Sequence, residues 1–238
     1  MYISRMPVNT ARFSARQLIE SPYRMHAAVE AAFPPNAVRQ SGEGRILWRL
    51  DALEQGHGMW LYVVSPEPPD LTHVIEQAGW PTRMEWESKD YTPLLSCIAA
   101  GQQWQFRLRA NPVRKAREDK GRRPKAEPSS IVGKVQGHVT VRQQTDWLIA
   151  RAQSHGFELL PDDNGDPSVV VSQRHRERFG RDGKTVTLAT AVFEGRLRVT
   201  DSDLFRRTLC QGIGRAKGFG CGLMTVTPIR ETGHEVLS

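Results

Sequence analysis

Near the start of the chain, His26 follows Tyr23 by three residues, within the stretch "SPYRMHAAVEAAFPP" at residues 21–35. Ser21 and then Pro22 read as a helix cap and first helical position, and Pro34 with Pro35 as the stop. At that spacing both side chains reach one surface spot. Leu18, Met25, Val29, Ala32 and Phe33 form the apolar stripe that seats the helix, with His26 at its edge and Tyr23 just beyond. An imidazole titrates nearest neutrality and serves as either acid or base. Its place in the second turn, near the positive end of the helix dipole, favours the neutral, basic form. Tyr23 suits a positioning hydrogen bond better than proton abstraction. The same pair is also readable as two amphipathic residues lining a core margin.

A second chemical signal lies near the other end. "GIGRAKGFGCGL", residues 212–223, places Gly212, Gly214, Gly218, Gly220 and Gly222 in eleven positions, with Arg215 and Lys217 between them. Such a run is neither helix nor strand, and it brings backbone amides close to whatever lies beside it. Amide donors and a cation together stabilise a developing oxyanion. The Walker pattern is not matched, and a dinucleotide fingerprint should follow a strand and open a helix. Here the glycines follow a helix and open a strand, which argues against a small-molecule nucleotide cofactor.

Basic residues gather in three places. A predicted hairpin carries Arg174, His175, Arg176, Arg178, Arg181 and Lys184, shaped to grip a duplex through its phosphates. A loop holds Arg114, Lys115, Arg117, Lys120, Arg122, Arg123 and Lys125, readable as a solvated loop or as a nucleic-acid contact. Arg206, Arg207, Arg215 and Lys217 surround the last helix and its exit.

Positioning these groups needs a sizeable folded core. The chain has 238 residues, 39% of them hydrophobic, and carries 33 Lys and Arg against 26 Asp and Glu, for a net charge of +7. Its pI is about 9.7, which points to a polyanion partner. "MYISRMPVNTARFSAR" has no apolar core of signal-peptide length, and no run approaches a membrane span. Cys97, Cys210 and Cys221 lack CxxC spacing and read as thiols in a reducing cytoplasm. "DDNGDP", residues 162–167, hints at a calcium loop, but Pro167 stands where glycine is needed and Gln173 where a bidentate Glu is needed. It reads as a turn, and no protein-built metal site is visible. Among the other histidines, His175 reads as a contact to RNA, and His57, His73, His138, His155 and His234 as turn or surface residues.

Along the chain, "MYISRMPV" alternates like a strand and a helix follows over 14–33. "RILWRLD" and "MWLYVVS" read as strands about the turn "EQGHG", "DLTHVIEQAGW" as a helix, and "YTPLLSCI" and "QQWQFRLRANPV" as further strand. The second half repeats the order loosely. "GHVTV" reads as a strand and "QQTDWLIARAQSHGF" as a helix stopped by Gly156. The basic hairpin follows, with a further turn at Glu194 and Gly195, then the capped helix "DSDLFRRTLCQG" and the strand "CGLMTVTPI". The expectation is an α+β protein of two tandem ferredoxin-like β-α-β-β-α-β domains, 1–118 and 128–238, joined by a basic linker at 119–127.

A helix, then Gly212, Gly214, Lys217, Gly220, Gly222 and Leu223, then a final strand resembles the glycine-rich signature of the RAMP superfamily of RNA-binding proteins. "SPYRMHAAVEAAFP", the start "MYISRM" and "HVTV…WLIARAQSHGFEL" resemble one branch of it, the CasE family of CRISPR repeat-processing endoribonucleases of type I-E systems. The resemblance spans nearly the whole chain. It implies two ferredoxin-like domains, metal-independent cleavage at the base of a CRISPR repeat RNA hairpin without a small-molecule cofactor, and retention of the product for assembly with Cascade protein subunits. It places the family's catalytic histidine on His26 and its helper tyrosine on Tyr23. Lys217 and Arg215 are the cations it offers the phosphate. A binding-only RAMP subunit would keep the basic hairpin and the glycines but need no His26. A nucleotide-dependent enzyme would show cofactor binding in a thermal-shift screen.

Overall fold

The computed structural model describes residues 1–53, 58–115, 135–181 and 183–229, and only the backbone of residues 115, 135 and 184. The chain opens with β1 (Tyr2–Asn9), α1 (Phe13–Ile19), α2 (Pro22–Glu30), β2 (Leu47–Ala52), β3 (Gly58–Ser65), α3 (Thr72–Ala78) and β4 (Glu87–Asp90). These strands form an antiparallel sheet in the order β2-β3-β1-β4. Strand alternation turns Met6, Val8, Trp48, Leu61 and Val63 to one face, where they pack on Ala15, Leu18, Met25, Val29, Val74 and Ile75 from the helices. The helix expected over 14–33 is broken in two at Glu20 and Ser21, because Ser21 caps a fresh helix by accepting from the Arg24 N–H.

The remainder comprises α4 (Thr92–Cys97), β5 (Gln103–Ala110), β6 (Val113–Lys115), β7 (Val135–Gly137), α5 (Val141–Ala152), β8 (Phe157–Leu159), β9 (Val169–Arg181), β10 (Lys184–Val199), α6 (Ser202–Gln211) and β11 (Met224–Pro228). The second sheet runs β11-β5-β10-β8, with β9 paired to β10 as a long hairpin. Its core gathers Phe106, Leu108, Trp147, Leu148, Phe193, Leu197, Phe205 and Leu209, and it takes in Leu47 and Val64 from the first sheet. The molecule is therefore mixed α/β with antiparallel sheets. No helix among the described residues is long and apolar enough to cross a membrane.

Several expected elements differ. "YTPLLSCI" is a helix: the Asp90 carboxylate accepts from the Thr92 N–H, and Pro93 sits in the first turn. β4 supplies the first sheet's last strand, and β5 pairs with β10 and β11 instead. The expected unit 1–118 thus takes in a strand of the second sheet. Only Gly137 of "GHVTV" is strand, as the end of β7, and the rest leads into α5, which Thr140 caps in a reciprocal box with Gln143. No turn occurs at Glu194 and Gly195. Gly195 runs straight through β10, and it is glycine because a Cβ there would fall 2.0 Å from the Ser168 carbonyl oxygen. The expected linker 119–127, His57 and His234 lie outside the described residues.

One side chain fastens the sheets together. Arg49 of β2 is 1% exposed. Its Nε and one terminal nitrogen donate to Asp51, and it also reaches the Thr225 hydroxyl and the carbonyls of Arg107 and Leu223. All five of its N–H groups are thereby satisfied, which makes a buried guanidinium tolerable.

Candidate active site

His26 lies in the second turn of α2, where α2 meets the glycine-rich stretch. A Cβ built on Gly218 would stand 3.3 Å from His26 Nε2, so the imidazole rests against that backbone. The Phe219 ring meets the imidazole edge-on at 6.3 Å between centroids. On the far side of Phe219 lies Phe179 of β9, also edge-on, at 4.9 Å. The Arg181 guanidinium sits 5.8 Å from the Phe219 ring centre. The first sheet, the glycine-rich stretch and the tip of the basic hairpin thus converge on His26.

The glycines serve this convergence sterically. Gly220 has φ +71°, and a Cβ there would come within 2.6 Å of the Trp48 ring on β2. The N–H groups of Gly212 and Gly222 are already committed, to the carbonyls of Thr208 and Arg109. Gly212, Gly220 and Gly222 are buried, whereas Gly214 and Gly218 are half-buried. Arg109 of β5 holds the stretch in place by donating to the carbonyls of Phe219 and Gly220, and it pairs with Glu177 of β9. The Thr190 hydroxyl donates to the same carboxylate.

The electrostatics favour a neutral imidazole. Burial holds the His26 pKa below the ordinary histidine value, with Arg181 and Arg45 acting in the same direction and Glu30 opposing them. The Glu30 carboxylate lies 3.9 Å from Nδ1, too far for a hydrogen bond but close enough to favour a proton there. That tautomer leaves Nε2, on the glycine side, as the basic nitrogen. Nδ1 itself is buried without a hydrogen-bond partner. Lys217 is lowered by burial first and by Arg45 second.

The predicted residues divide. His26, Gly218 and Arg181 come together, and Tyr23 sits on the same helix, 39% exposed and open to a ligand. Lys217 adjoins the contact through its neighbour Gly218, but the cations that depress His26 are Arg181 and Arg45. Arg174, His175, Arg176, Arg178 and Arg215 are exposed. Arg174, His175 and Arg176 line a cavity of about 720 Å³ with Asn111, His138 and Gln144. The side chain of Lys184 lies outside the described residues. Sequence reasoning missed Arg45, Phe179 and Phe219. The phenylalanine set among five glycines was the one available signal. Among the described residues no three His, Cys, Asp or Glu side chains converge as a metal-binding group.

Comparison with known proteins matches residues 1–228 to the family model described as CRISPR associated protein. The CRISPR-associated endoribonuclease Cse3 of Thermus thermophilus is 29% identical over 237 residues, spanning 96% of this chain and 100% of that protein. The Cascade subunit CasE of the Escherichia coli CRISPR system is 26% identical over 236 residues, again spanning 96% and 100%. Among solved structures, CRISPR endoribonuclease Cse3 bound to a 19-nucleotide RNA superposes with a TM-score of 0.76 at 28% identity, covering 96% of this chain and 100% of that one.

Proposed function

The chain belongs to the CRISPR-associated protein family, and on that premise we propose that it is an endoribonuclease that cuts CRISPR repeat RNA at the base of its hairpin, without a metal ion, and keeps the product for assembly with Cascade subunits. The relatives named as an endoribonuclease and as a Cascade subunit support this reading along their whole length. The observation that carries it is the His26 ring, biased towards its neutral form and pressed against the glycine-rich stretch beside two cations.

In this mechanism His26 Nε2 takes the proton from the 2′-hydroxyl as its oxygen bonds to phosphorus. The bond from phosphorus to the 5′ oxygen breaks, and that oxygen takes a proton from the imidazolium or from water. Tyr23 hydrogen-bonds the nucleophile or a phosphate oxygen, and Lys217, Arg215 and the Gly218 backbone face the phosphorane. The products carry a 2′,3′-cyclic phosphate and a 5′-hydroxyl. A non-catalytic RNA-binding subunit is the competing role, and it leaves the His26 environment without a purpose.

Both sheets support a tandem ferredoxin-like plan. β2-β3-β1-β4 and, with β9 set aside as an added hairpin arm, β8-β10-β5-β11 have the same order relative to their own chain direction. The division then falls between residues 90 and 103, and the protein works in the cytoplasm. The decisive measurement is cleavage of repeat RNA with a 2′-deoxy nucleotide 5′ of the cut, in EDTA, alongside the all-ribose RNA. Full cleavage of ribose RNA and none of the deoxy RNA is expected. Cutting of the deoxy strand would sink the mechanism.

A further inference from the structure

Proton abstraction at Nε2 leaves the second nitrogen of the His26 ring without a task. Nδ1 is buried and has no hydrogen-bond partner, so it is closed to solvent and to RNA, and only a protein group can answer it. Such a group stands one turn further along α2: Glu30 Oε1 lies 3.9 Å from Nδ1. That is about 1 Å beyond a hydrogen bond, a gap of the kind that closes when a catalytic complex forms. The other oxygen of this carboxylate is already held. Arg39 Nε donates to Glu30 Oε2 at 3.3 Å. The terminal nitrogens of Arg39 donate to the carbonyls of Phe33, Pro34, Pro35 and Ala37. Arg39 therefore pins Glu30 to the turn that follows α2 and leaves Oε1 on the imidazole side.

Helix stability does not account for a carboxylate at this position. Glu30 is the last residue of α2, where the negative end of the helix dipole disfavours an acid. The chemistry does account for it. When Nε2 takes the 2′-hydroxyl proton, the ring becomes a cation in a half-buried place. Glu30 on α2 favours that charge, while Arg181 on β9 and Arg45 before β2 oppose it. Lys217, beside Gly218, and Tyr23, three residues before His26, are further titratable groups on the elements packed there. A carboxylate at Nδ1 also keeps a proton on that nitrogen, so that Nε2 is the lone pair offered to RNA.

We propose that Glu30, pinned by Arg39, is the positioning residue of His26: its carboxylate accepts a hydrogen bond from Nδ1–H and steadies the imidazolium that forms as Nε2 abstracts. The Nδ1 proton stays where it is throughout. The proton gained at Nε2 goes on to the departing 5′ oxygen or to water. The assignment rests on the cleavage reading above.

The test uses the full chain with Glu30→Ala, Glu30→Gln and, as reference, His26→Ala. Single-turnover cleavage at saturating repeat RNA is followed across pH. Glu30→Ala should lose about ten- to a hundredfold in plateau rate, the scale of removing a carboxylate behind a working imidazole. Glu30 favours the proton on the imidazole, so without it the ring stays neutral to lower pH. The acid limb of the surviving activity therefore moves to lower pH. Glu30→Gln keeps an acceptor and loses the charge, so it should move the limb the same way and lose less rate. An unmoved limb overturns the assignment even where the rate falls, because an ion pair that only braces Arg39 would not touch the imidazole. Wild-type plateau rate in Glu30→Ala, with His26→Ala inactive, also overturns it and leaves the cleavage reading standing. An active His26→Ala overturns the cleavage reading itself. Should Glu30→Ala fail a thermal-melt check of folding, Glu30→Gln decides. A limb at lower pH upholds the assignment, and an unmoved limb overturns it.

Discussion

The β9–β10 hairpin has two faces that the sequence alone presents as one basic ribbon. Pairing from Lys184 with Arg181 to Thr190 with His175 proceeds without a break, so side chains alternate strictly from His175 to Arg181. One face carries His175, Glu177, Phe179 and Arg181. Its lower part is committed to the protein: Glu177 to Arg109, Phe179 to Phe219, and Arg181 over Phe219 beside His26. The other face carries Arg176 and Arg178, and Arg174, at the register shift just beyond, is exposed as they are. Of these, Arg174 donates to the Val139 carbonyl. Equal charge on neighbouring residues thus divides by the period of two into a set packed around Phe219 and His26 and a set left exposed.

That contrast can be broken at its root. His26→Ala should lower single-turnover cleavage by roughly 10²–10⁴ while leaving RNA affinity nearly unchanged. If cleavage persists, the inward face has no reaction to serve. Next in size, replacing Arg174, Arg176 and Arg178 together with Ala should weaken RNA binding by about one to two orders of magnitude at moderate salt. The log–log salt slope should flatten by roughly two to three units, at somewhat under one unit per lost phosphate contact. The rate at saturating RNA should hold. An unchanged slope would show that the outward face does not touch phosphates.

Arg181→Ala sharpens the contrast, because it removes one charge from the same ribbon with the opposite signature. Arg181 pushes the His26 pKa down, so its loss should move the acid limb of the rate profile to higher pH. The rate at low pH should fall by about tenfold at most. The outward triple variant should leave that limb in place, and equal movement in both would erase the distinction. The smallest effect belongs to Phe179→Ala. Losing one edge-on ring pair costs about 0.5–1.5 kcal/mol beyond the buried area. A melting curve should register that cost, with only a few-fold loss of cleavage.

Much of this arrangement was legible in residue order. Ser21 with Pro22 and Asp201 before α6 are capping signals, and each starts a helix where expected, whereas the Thr140–Gln143 box went unread because "GHVTV" alternates like a strand. β1, β2 and β3 follow from alternation, whereas β4 of the same sheet went unread. What failed was partnership at a distance. Nothing in "QWQFRLRA" says that it pairs with β10 and β11 rather than with β1, because an alternating strand fits either sheet. "TPLLSC" misled because a short apolar run has no period long enough to separate helix from strand. His26 was legible as a candidate because a histidine on a helix with a nearby tyrosine is rare enough to notice. Glu30 was not, since a glutamate closing a helix looks like any surface charge. It stands out only through the buried, unpartnered Nδ1 beside it.

The strand order also sets a timetable for synthesis. Every strand of the first sheet lies within residues 2–90, so that half can close while the rest of the chain is still on the ribosome. β5 must wait for β10 and β11, the latter ending at residue 228. At about 5–20 residues per second that delay is roughly six to twenty-four seconds. During it Arg49 keeps its water, because the carbonyls of Arg107 and Leu223 have yet to dock on it. The glycine-rich stretch, made after α6, closes over His26 only as β11 zips into place. A nascent chain therefore carries its histidine early but holds no assembled cutting site until β11 has been made.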